Sequence, residues 1–254
     1  MEQMRRDVYA GATLEVEVTA CTNPRDGDVK KAQPKLRFKD DEERRRHLLG
    51  RAKRHFVRCV NATFAPGDIY VTLTMDDAHE VHDFAGAREI RGKFRRRLKG
   101  IVPEVAMVMV MGRGKTTSRI HFHAIIKGAT AAEIERAWVY GAVQAMRPLR
   151  AHNYYVDELG RKVDMGADYR GLAGYLFDHW TEEQGGHYYL ATRNIRQAER
   201  EERKEVKTRY SKRRPPKPPK GYRYISCDVT PYGYMCFYYV REQGETVARE
   251  RGRW

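Results

Sequence analysis

The stretch EVAMVMVMGRGKTTSRIHFHAII, residues 104–126, consists of two apolar runs separated by a segment rich in glycine and basic residues. This pattern predicts an antiparallel β-hairpin. In the second strand His121 and His123 are two residues apart, so both imidazoles point to the same face of the sheet. Two imidazoles side by side on a rigid strand are half of a metal site, although the pair alone is equally typical of polar residues on a solvated face.

The segments around this hairpin indicate the fold class. Residues 68–77, DIYVTLTMDD, predict a strand rich in β-branched residues. The next segment predicts a helix with an apolar stripe, and residues 129–143, ATAAEIERAWVYGAV, predict a second amphipathic helix. The stripe of the first helix consists of Ala87, Ile90, Phe94 and Leu98. This order of elements predicts an α+β fold, an antiparallel β-sheet with helices packed on one face.

The composition divides the chain into four regions. We predict a basic N-terminal extension in residues 1–65 and the main α+β domain in residues 66–200. Residues 201–220 predict a charged helix that runs into a Pro/Lys linker, since the prolines cannot continue a helix. Residues 221–254 predict a C-terminal β-hairpin extension around the turn TPYG at 230–233, and whether this hairpin joins the core sheet stays open.

The charge balance points to a polyanionic partner. Lys and Arg number 49 against 34 Asp and Glu, which gives a net charge of +15 and a pI near 9.7. Such a surplus is most simply explained by nucleic acid. No run approaches the roughly 18 apolar residues of a membrane span, so we expect no membrane partner. The four cysteines form no CxxC pair and predict reduced thiols in a cytoplasmic protein.

The first predicted helix is basic on the faces outside its apolar stripe. A run of charges is often only a solvated face. Because this run repeats the bias of the whole chain, we interpret it as a phosphate-binding surface. The residues assigned to this surface are Arg91, Lys93, Arg95, Arg96 and Arg97.

Residues 168–183, DYRGLAGYLFDHWTEE, predict a helix that places Tyr175 and His179 on one face, away from its apolar stripe. A tyrosine four residues before a histidine is suited to a nucleophile beside a metal ligand. The alternative is a tyrosine at the edge of the stripe and a surface histidine. The histidine pair on the strand and the basic charge favour the first interpretation.

Three motifs, in this order, resemble those of rolling-circle replication initiators of the HUH endonuclease superfamily, of the type found in phages and mobile elements. VTLT at 71–74 is similar to the first motif, HFH at 121–123 to the metal-binding pair, and GYLFDHW at 174–180 to the tyrosine helix. The likeness covers roughly residues 66–240. It implies a Rep-like fold related to the ferredoxin-like fold, with residues 66–200 as the catalytic domain.

The resemblance implies a sequence-specific endonuclease that nicks and rejoins one DNA strand. In such enzymes Mg²⁺ or Mn²⁺ polarises the scissile phosphate, and a tyrosine attacks to give a 5′-phosphotyrosine and a free 3′-OH that primes rolling-circle replication. The implied partners are single-stranded or hairpin origin DNA, a host helicase and a host polymerase, in the cytoplasm of a bacterial cell. The chain has no GxxxxGK[ST] loop, so we expect no helicase motor of its own.

The resemblance also implies the roles of individual residues. His121 and His123 become metal ligands and Tyr175 the only catalytic tyrosine. In single-tyrosine transposases of the superfamily, the third ligand comes from the tyrosine helix one turn on. His179 occupies that position, with Asp178 or Glu182 as the alternatives.

The chain departs from the superfamily in two places. Many relatives carry a Glu ligand on the strand before the histidine strand, but a turn centred near Lys115 predicts Met107 and Met109 opposite the two histidines. Relatives also often have a Lys shortly after the tyrosine, which is missing here. Arg119 or Lys127 can replace it in steering the phosphate.

Two other functions fit the same residues. A transposase or relaxase of a mobile element uses the same chemistry, but the extra N- and C-terminal regions exceed a minimal transposase core and favour replication. A non-catalytic, basic nucleic-acid-binding protein explains the charge without the site. Dependence of cleavage on metal distinguishes this last alternative from the enzymes.

Overall fold

The computed structural model describes residues 3–20, 38–114, 117–156, 160–185, 188–230 and 233–242. The strands are β1 (Gln3–Ala10), β2 (Thr13–Ala20), β3 (Ile69–Thr74), β4 (Ala106–Arg113), β5 (Ile120–Lys127), β6 (Val143–Pro148), β7 (Tyr154–Val156), β8 (Lys162–Asp164), β9 (Leu190–Ala191), β10 (Glu199–Arg200), β11 (Lys204–Val206), β12 (Tyr222–Val229) and β13 (Met235–Arg241). The helices are α1 (Asp41–Thr63), α2 (Phe84–Ile101), α3 (Ala131–Ala137) and α4 (Arg170–Phe177), followed by a 3-10 turn at Glu182–Gln184. Among the described residues, no helix combines the length and the apolar character that crossing a membrane requires.

The core sheet has five antiparallel strands in the order β6–β3–β5–β4–β9, so β5 lies at its centre. The prediction of an α+β fold with an antiparallel sheet is confirmed. The prediction of helices on one face is wrong, because α2 and α3 cover one face and α1 and α4 the other. The reason is visible in β4, whose first seven residues are all buried. A strand without polar alternation buries both of its faces.

The register of the central hairpin differs from the predicted one. Gly112 lies opposite His121, and Val110 lies opposite His123. The methionines of β4 instead point to the α2 side and pack in its core. The connection closes later in the chain than predicted, with the amide of Gly114 donating to the carbonyl of Arg119 over 2.8 Å. Lys115, the predicted centre of the turn, lies outside the described residues. Neither residue opposite a histidine carries a carboxylate.

A second antiparallel sheet brings the strands β1 and β2 together with the C-terminal hairpin. Its order is β10–β1–β2–β13–β12, and β11 also pairs with β1. The C-terminal hairpin thus joins the N-terminal strands rather than the core sheet, and residues 243–254 lie outside the described residues. The predicted helix in residues 201–220 is wrong, since described residues 188–230 contain no helix. This segment has no apolar stripe to bury as a helix, and the free edge of β1 offers backbone partners to β10 and β11.

Helix α1 connects the second sheet to the core sheet. Its apolar face packs with α4 on the core sheet. On its other side, buried Arg58 forms ion pairs with Glu15 and Glu17 of β2, the latter at 2.7 Å. Near the start of α4, the guanidinium of Arg170 lies 4.2 Å from the ring centre of Tyr238 in β13. Because breaking a buried ion pair is strongly destabilising, the pairs of Arg58 hold α1 on the second sheet, and the cation–π contact of Arg170 joins α4 to the same sheet.

Candidate functional site

Three histidines converge between the core sheet and the end of α4. His121 and His123 project from β5 towards the α4 side of the sheet, and His179 lies two residues after the last residue of α4. One ring nitrogen of each lies within 4.8 Å of the corresponding atoms of the other two. The ring centres of His123 and His179 are 4.5 Å apart. The structure therefore brings together all three residues that the sequence suggested as metal ligands.

His123 presents an unpartnered nitrogen to the cluster. Its side chain is buried, and its Nδ1 lies 2.8 Å from the hydroxyl of Tyr70 and 3.0 Å from the hydroxyl of Thr72, both on β3. Its Nε2 is buried without a hydrogen-bond partner among the described residues. Burial, together with the charges of His179 and His121, lowers the pKa of His123 to about 3. The ring is thus neutral, which is the form that binds metal.

The cluster depends on a glycine in the neighbouring strand. A Cβ atom on Gly112 would lie 2.6 Å from Cδ2 of His179 and 2.8 Å from Nε2 of His121. Any other residue at this position would push the two imidazoles away. Burial, and then the charge of His179, lowers the pKa of His121, so this ring is also held neutral. We missed Gly112 in the sequence, although a glycine at the end of an apolar strand is the usual signal of a close approach.

The orientation of His179 is fixed by its own helix. The sequence placed His179 within the tyrosine helix, but α4 ends at Phe177. The Nδ1 of His179 lies 2.9 Å from the backbone carbonyl oxygen of Tyr175. A carbonyl only accepts, so Nδ1 donates and Nε2 keeps its lone pair for a ligand.

Gln184 holds the segment that carries His179 against β4. Its side chain is buried, and its Nε2 donates to the carbonyls of His179 over 2.8 Å and of Met111 over 3.2 Å. Arg88 of α2 donates to the backbone carbonyl of Gln184 over 2.8 Å. Sequence reasoning missed this residue, because no local pattern distinguishes it from any other glutamine.

Tyr175 lies beside the histidines and is accessible. The residue is 53% exposed, and its ring centre lies 4.5 Å from that of His179 and 5.8 Å from that of His123. Tyr169, by contrast, is buried and donates to the carbonyl of Arg150 over 3.2 Å. Burial, and then the charge of Asp68, raises the pKa of Tyr169 to about 12. Of these two tyrosines, only Tyr175 combines accessibility with contact to the cluster.

The two alternative ligands point to α1 instead of the cluster. Both carboxylate oxygens of Asp178 accept hydrogen bonds from Nζ of Lys53 over 2.6 Å. The carboxylate of Glu182 lies 2.6 Å from the guanidinium of Arg45. Each carboxylate is thus paired with a cation of α1, and neither belongs to the group of potential ligands.

The phosphate-binding surface predicted on α2 lies on the other side of the core sheet from the histidines. Helix α2 packs on the opposite face of the core sheet. Lys93, Arg96 and Arg97 are exposed and Arg95 is half-buried, as a phosphate-binding surface requires. Arg91 is buried and therefore does not belong to an exposed surface; burial, and then the charges of Arg88 and Arg95, lowers its pKa to about 10. The prediction erred here because Arg91 falls between the apolar positions of the stripe.

The two residues expected to steer the phosphate are engaged elsewhere. Nζ of Lys127 donates to the carbonyl of Thr63 over 3.0 Å, and this residue lies four positions, roughly 13 Å, along β5 from His123. Arg119 lies two residues before His121, but its guanidinium forms ion pairs with Asp77 and, at 2.7 Å, with Glu80. The structure does not bring Lys127 to the site.

The histidine cluster fits a divalent metal ion. Its nitrogens are close together, two of its rings are held neutral by burial, and the buried Nε2 of His123 has no other partner among the described residues. Three protein ligands with open positions are typical of a catalytic rather than a structural metal. His121, His123 and His179 would hold the ion.

Comparison of the chain with protein-family models, with curated proteins and with solved structures found no match.

Proposed function

We propose that this protein is a metal-dependent endonuclease that nicks one strand of DNA through Tyr175 and so initiates rolling-circle replication. The observation that carries the proposal is an accessible tyrosine in ring contact with a cluster of three histidines. The position of the histidine pair on the central strand of an antiparallel sheet, beside the tyrosine helix, agrees with the Rep-like fold of the HUH superfamily.

The chemistry follows from the positions of these side chains. A divalent ion bound by the three histidines would withdraw negative charge from the oxygens of the scissile phosphate. The hydroxyl oxygen of Tyr175 attacks phosphorus and loses its proton to solvent, to which this side chain is exposed. The bond from phosphorus to the 3′ oxygen breaks, and that oxygen takes up a proton to become a 3′-OH. Tyr175 retains the 5′ phosphate, so a later attack by a 3′-OH reseals the strand without ATP.

The ligand set bears on the choice between Mg²⁺ and Mn²⁺. Mg²⁺ requires near-octahedral coordination, mostly by carboxylates, phosphates and water. The site instead offers three imidazoles, and Asp178, which precedes His179 in the sequence, is paired with Lys53. We therefore propose Mn²⁺ as the better cofactor, with Mg²⁺ as the weaker one.

The substrate of the proposed reaction is single-stranded or hairpin origin DNA. The net charge of +15 supports a partner with many phosphates. The exposed cations Lys93, Arg96 and Arg97 supply further phosphate contacts on the far side of the sheet from the histidines. A host helicase and polymerase would then extend the 3′-OH.

The test is a nicking assay on single-stranded DNA from the replicon that encodes the protein. We expect cleavage at one position in Mn²⁺, none in EDTA, and a covalent adduct between Tyr175 and the 5′ phosphate. Binding of DNA without cleavage in any divalent metal would instead establish the non-catalytic alternative. Transfer of the cut end to an unrelated target strand would establish a transposase.

A further inference from the structure

A groove opens between α1 and the segment after α4 that carries His179. Its volume is about 350 Å³. This lies at the lower end of the range for small-molecule sites and suits one group of nucleotide size. Asp178 borders the groove and directly precedes His179, so the groove begins one residue from a metal ligand of the proposed function. The lining residues are Arg46, Leu49, Gly50, Lys53, Phe177, Asp178 and Trp180.

Trp180 gives the groove a fixed aromatic wall. Its indole Nε1 donates to the carbonyl of Gly185 over 3.1 Å, and its ring centre lies 4.7 Å from that of Tyr188. These contacts fix the orientation of the ring while leaving the side chain partly exposed. Phe177, which also lines the groove, is buried. An indole that is fixed in orientation and partly exposed is the kind of surface on which bases of single-stranded DNA stack.

Gly50 keeps the opposite side of the groove open. It lies in the interior of α1, where glycine is among the least favourable residues. No close packing requires it, because the nearest atom to an added Cβ is the Nη1 of Arg54 at 4.0 Å. The missing side chain therefore leaves free space on the helix face that borders the groove.

The charges of the groove complement a nucleotide. Arg46 is exposed, and its guanidinium lies 3.7 Å from the carboxylate of Glu42. Lys53, roughly two turns further along α1, pairs with Asp178 across the groove. Exposed ion pairs of this kind contribute little to stability. A phosphate of DNA can therefore replace the carboxylate as the partner of the basic side chain.

We propose that this groove binds one base of the DNA strand next to the scissile phosphate, with the base stacked on Trp180 and its phosphate at Arg46 and Lys53. The proposal rests on the proposed function, since it takes single-stranded DNA as the substrate. It makes α1 part of the substrate site, and it identifies the groove as a place where the enzyme selects the nucleotide beside the nick.

The test measures the affinity of the full chain for a single-stranded oligonucleotide that carries the nick site, with one abasic position moved along it. We expect one abasic position to weaken binding by wild type about tenfold, and Trp180→Ala to weaken binding of the intact strand about equally. In Trp180→Ala the same abasic position should not weaken DNA binding further, because this variant already lacks the stacking partner of the base.

Leucine variants at two helical glycines separate blocking of the groove from damage to the fold. Gly50→Leu should abolish the effect of the abasic position by filling the groove, whereas Gly171→Leu, the matched control outside the groove, should bind as wild type does. Trp180→Phe should restore most of the affinity that Trp180→Ala loses. The groove proposal is overturned if every abasic position weakens DNA binding by Trp180→Ala as much as it weakens binding by wild type. If Mn²⁺-dependent nicking persists in that case, the proposed function stands. If wild type neither nicks nor binds single-stranded DNA, both are overturned.

Discussion

The Nδ1 atom of His179 lies 2.9 Å from the backbone carbonyl oxygen of Tyr175. One residue thus offers two groups to the site: its carbonyl orients a candidate metal ligand, and its side chain offers the attacking hydroxyl. Because the carbonyl belongs to the backbone, the two roles can be separated by replacing only the side chain.

Tyr175→Phe should therefore eliminate the covalent adduct with DNA while leaving metal affinity and DNA affinity within about twofold of wild type. The variant loses only the nucleophilic oxygen, and the carbonyl that orients His179 remains. The measurement is the adduct formed with labelled single-stranded DNA, resolved on a denaturing gel. Tyr155→Phe is the matched control, because Tyr155 is also exposed. An adduct of wild-type yield in Tyr175→Phe would assign the nucleophile to another residue.

His123→Ala should weaken Mn²⁺ binding by at least about 100-fold and abolish cleavage in both Mn²⁺ and Mg²⁺. The variant removes the buried nitrogen that has no other partner among the described residues. Titration with Mn²⁺, followed by electron paramagnetic resonance, measures the loss. His152→Ala is the control, since His152 is paired with Asp164 at 2.7 Å and does not belong to the cluster. Equal affinity in the two variants would exclude His123 as a ligand.

Gly112→Ala should weaken Mn²⁺ binding by about 10- to 100-fold and lower the free energy of unfolding by about 1–3 kcal/mol. The added methyl group would overlap both His179 and His121, at 2.6 and 2.8 Å. Gly171→Ala is the matched control, because a Cβ at Gly171 meets nothing within 4 Å and alanine favours the helix. The prediction fails if both alanine variants bind Mn²⁺ as tightly as wild type.

The free energy of unfolding should fall by about 3 kcal/mol as the pH drops from about 5 to about 2. Burial alone would raise the pKa of Glu17, but the adjacent Arg58 and Arg6 outweigh it and lower this pKa from 4.5 to about 2. A carboxyl whose pKa is lower in the folded state stabilises above its ordinary pKa and loses this contribution as it becomes protonated. Denaturant unfolding at pH 5.5 and pH 2.5 measures the change. Glu17→Gln should reduce the pH dependence, and an undiminished dependence would assign it to other carboxyls.

Local patterns in the sequence were sufficient to predict most elements near the site. The alternation in β5 predicted that His121 and His123 share a face, and the helical period predicted that Tyr175 and His179 lie together, since both rules depend on a few neighbouring residues. The register of the β4–β5 hairpin was predicted wrongly, because its turn closes later than the sequence suggested and a shift by an odd number of residues exchanges the two faces of a strand.

These local rules do not predict contacts between segments that are distant in the sequence. Gly112 and Gln184 act through residues on other elements, and only their positions in the fold reveal what they hold. The charged segment after residue 200 was predicted as a helix from its composition, whereas its conformation is set by the free edge of β1. Arg91 was assigned to the surface because it is charged, but charge alone does not determine whether a side chain is buried.

The pairing of β2 with β13 delays completion of the second sheet during protein synthesis. The register from Thr13 to Val18 needs residues 235–240, which leave the ribosome more than 200 residues after β2. Until then one edge of the N-terminal hairpin stays unpaired, and an unpaired edge invites association with other chains. Nascent or truncated chains that end before β13 should therefore depend on chaperones, and the second sheet should close only after β13 has emerged.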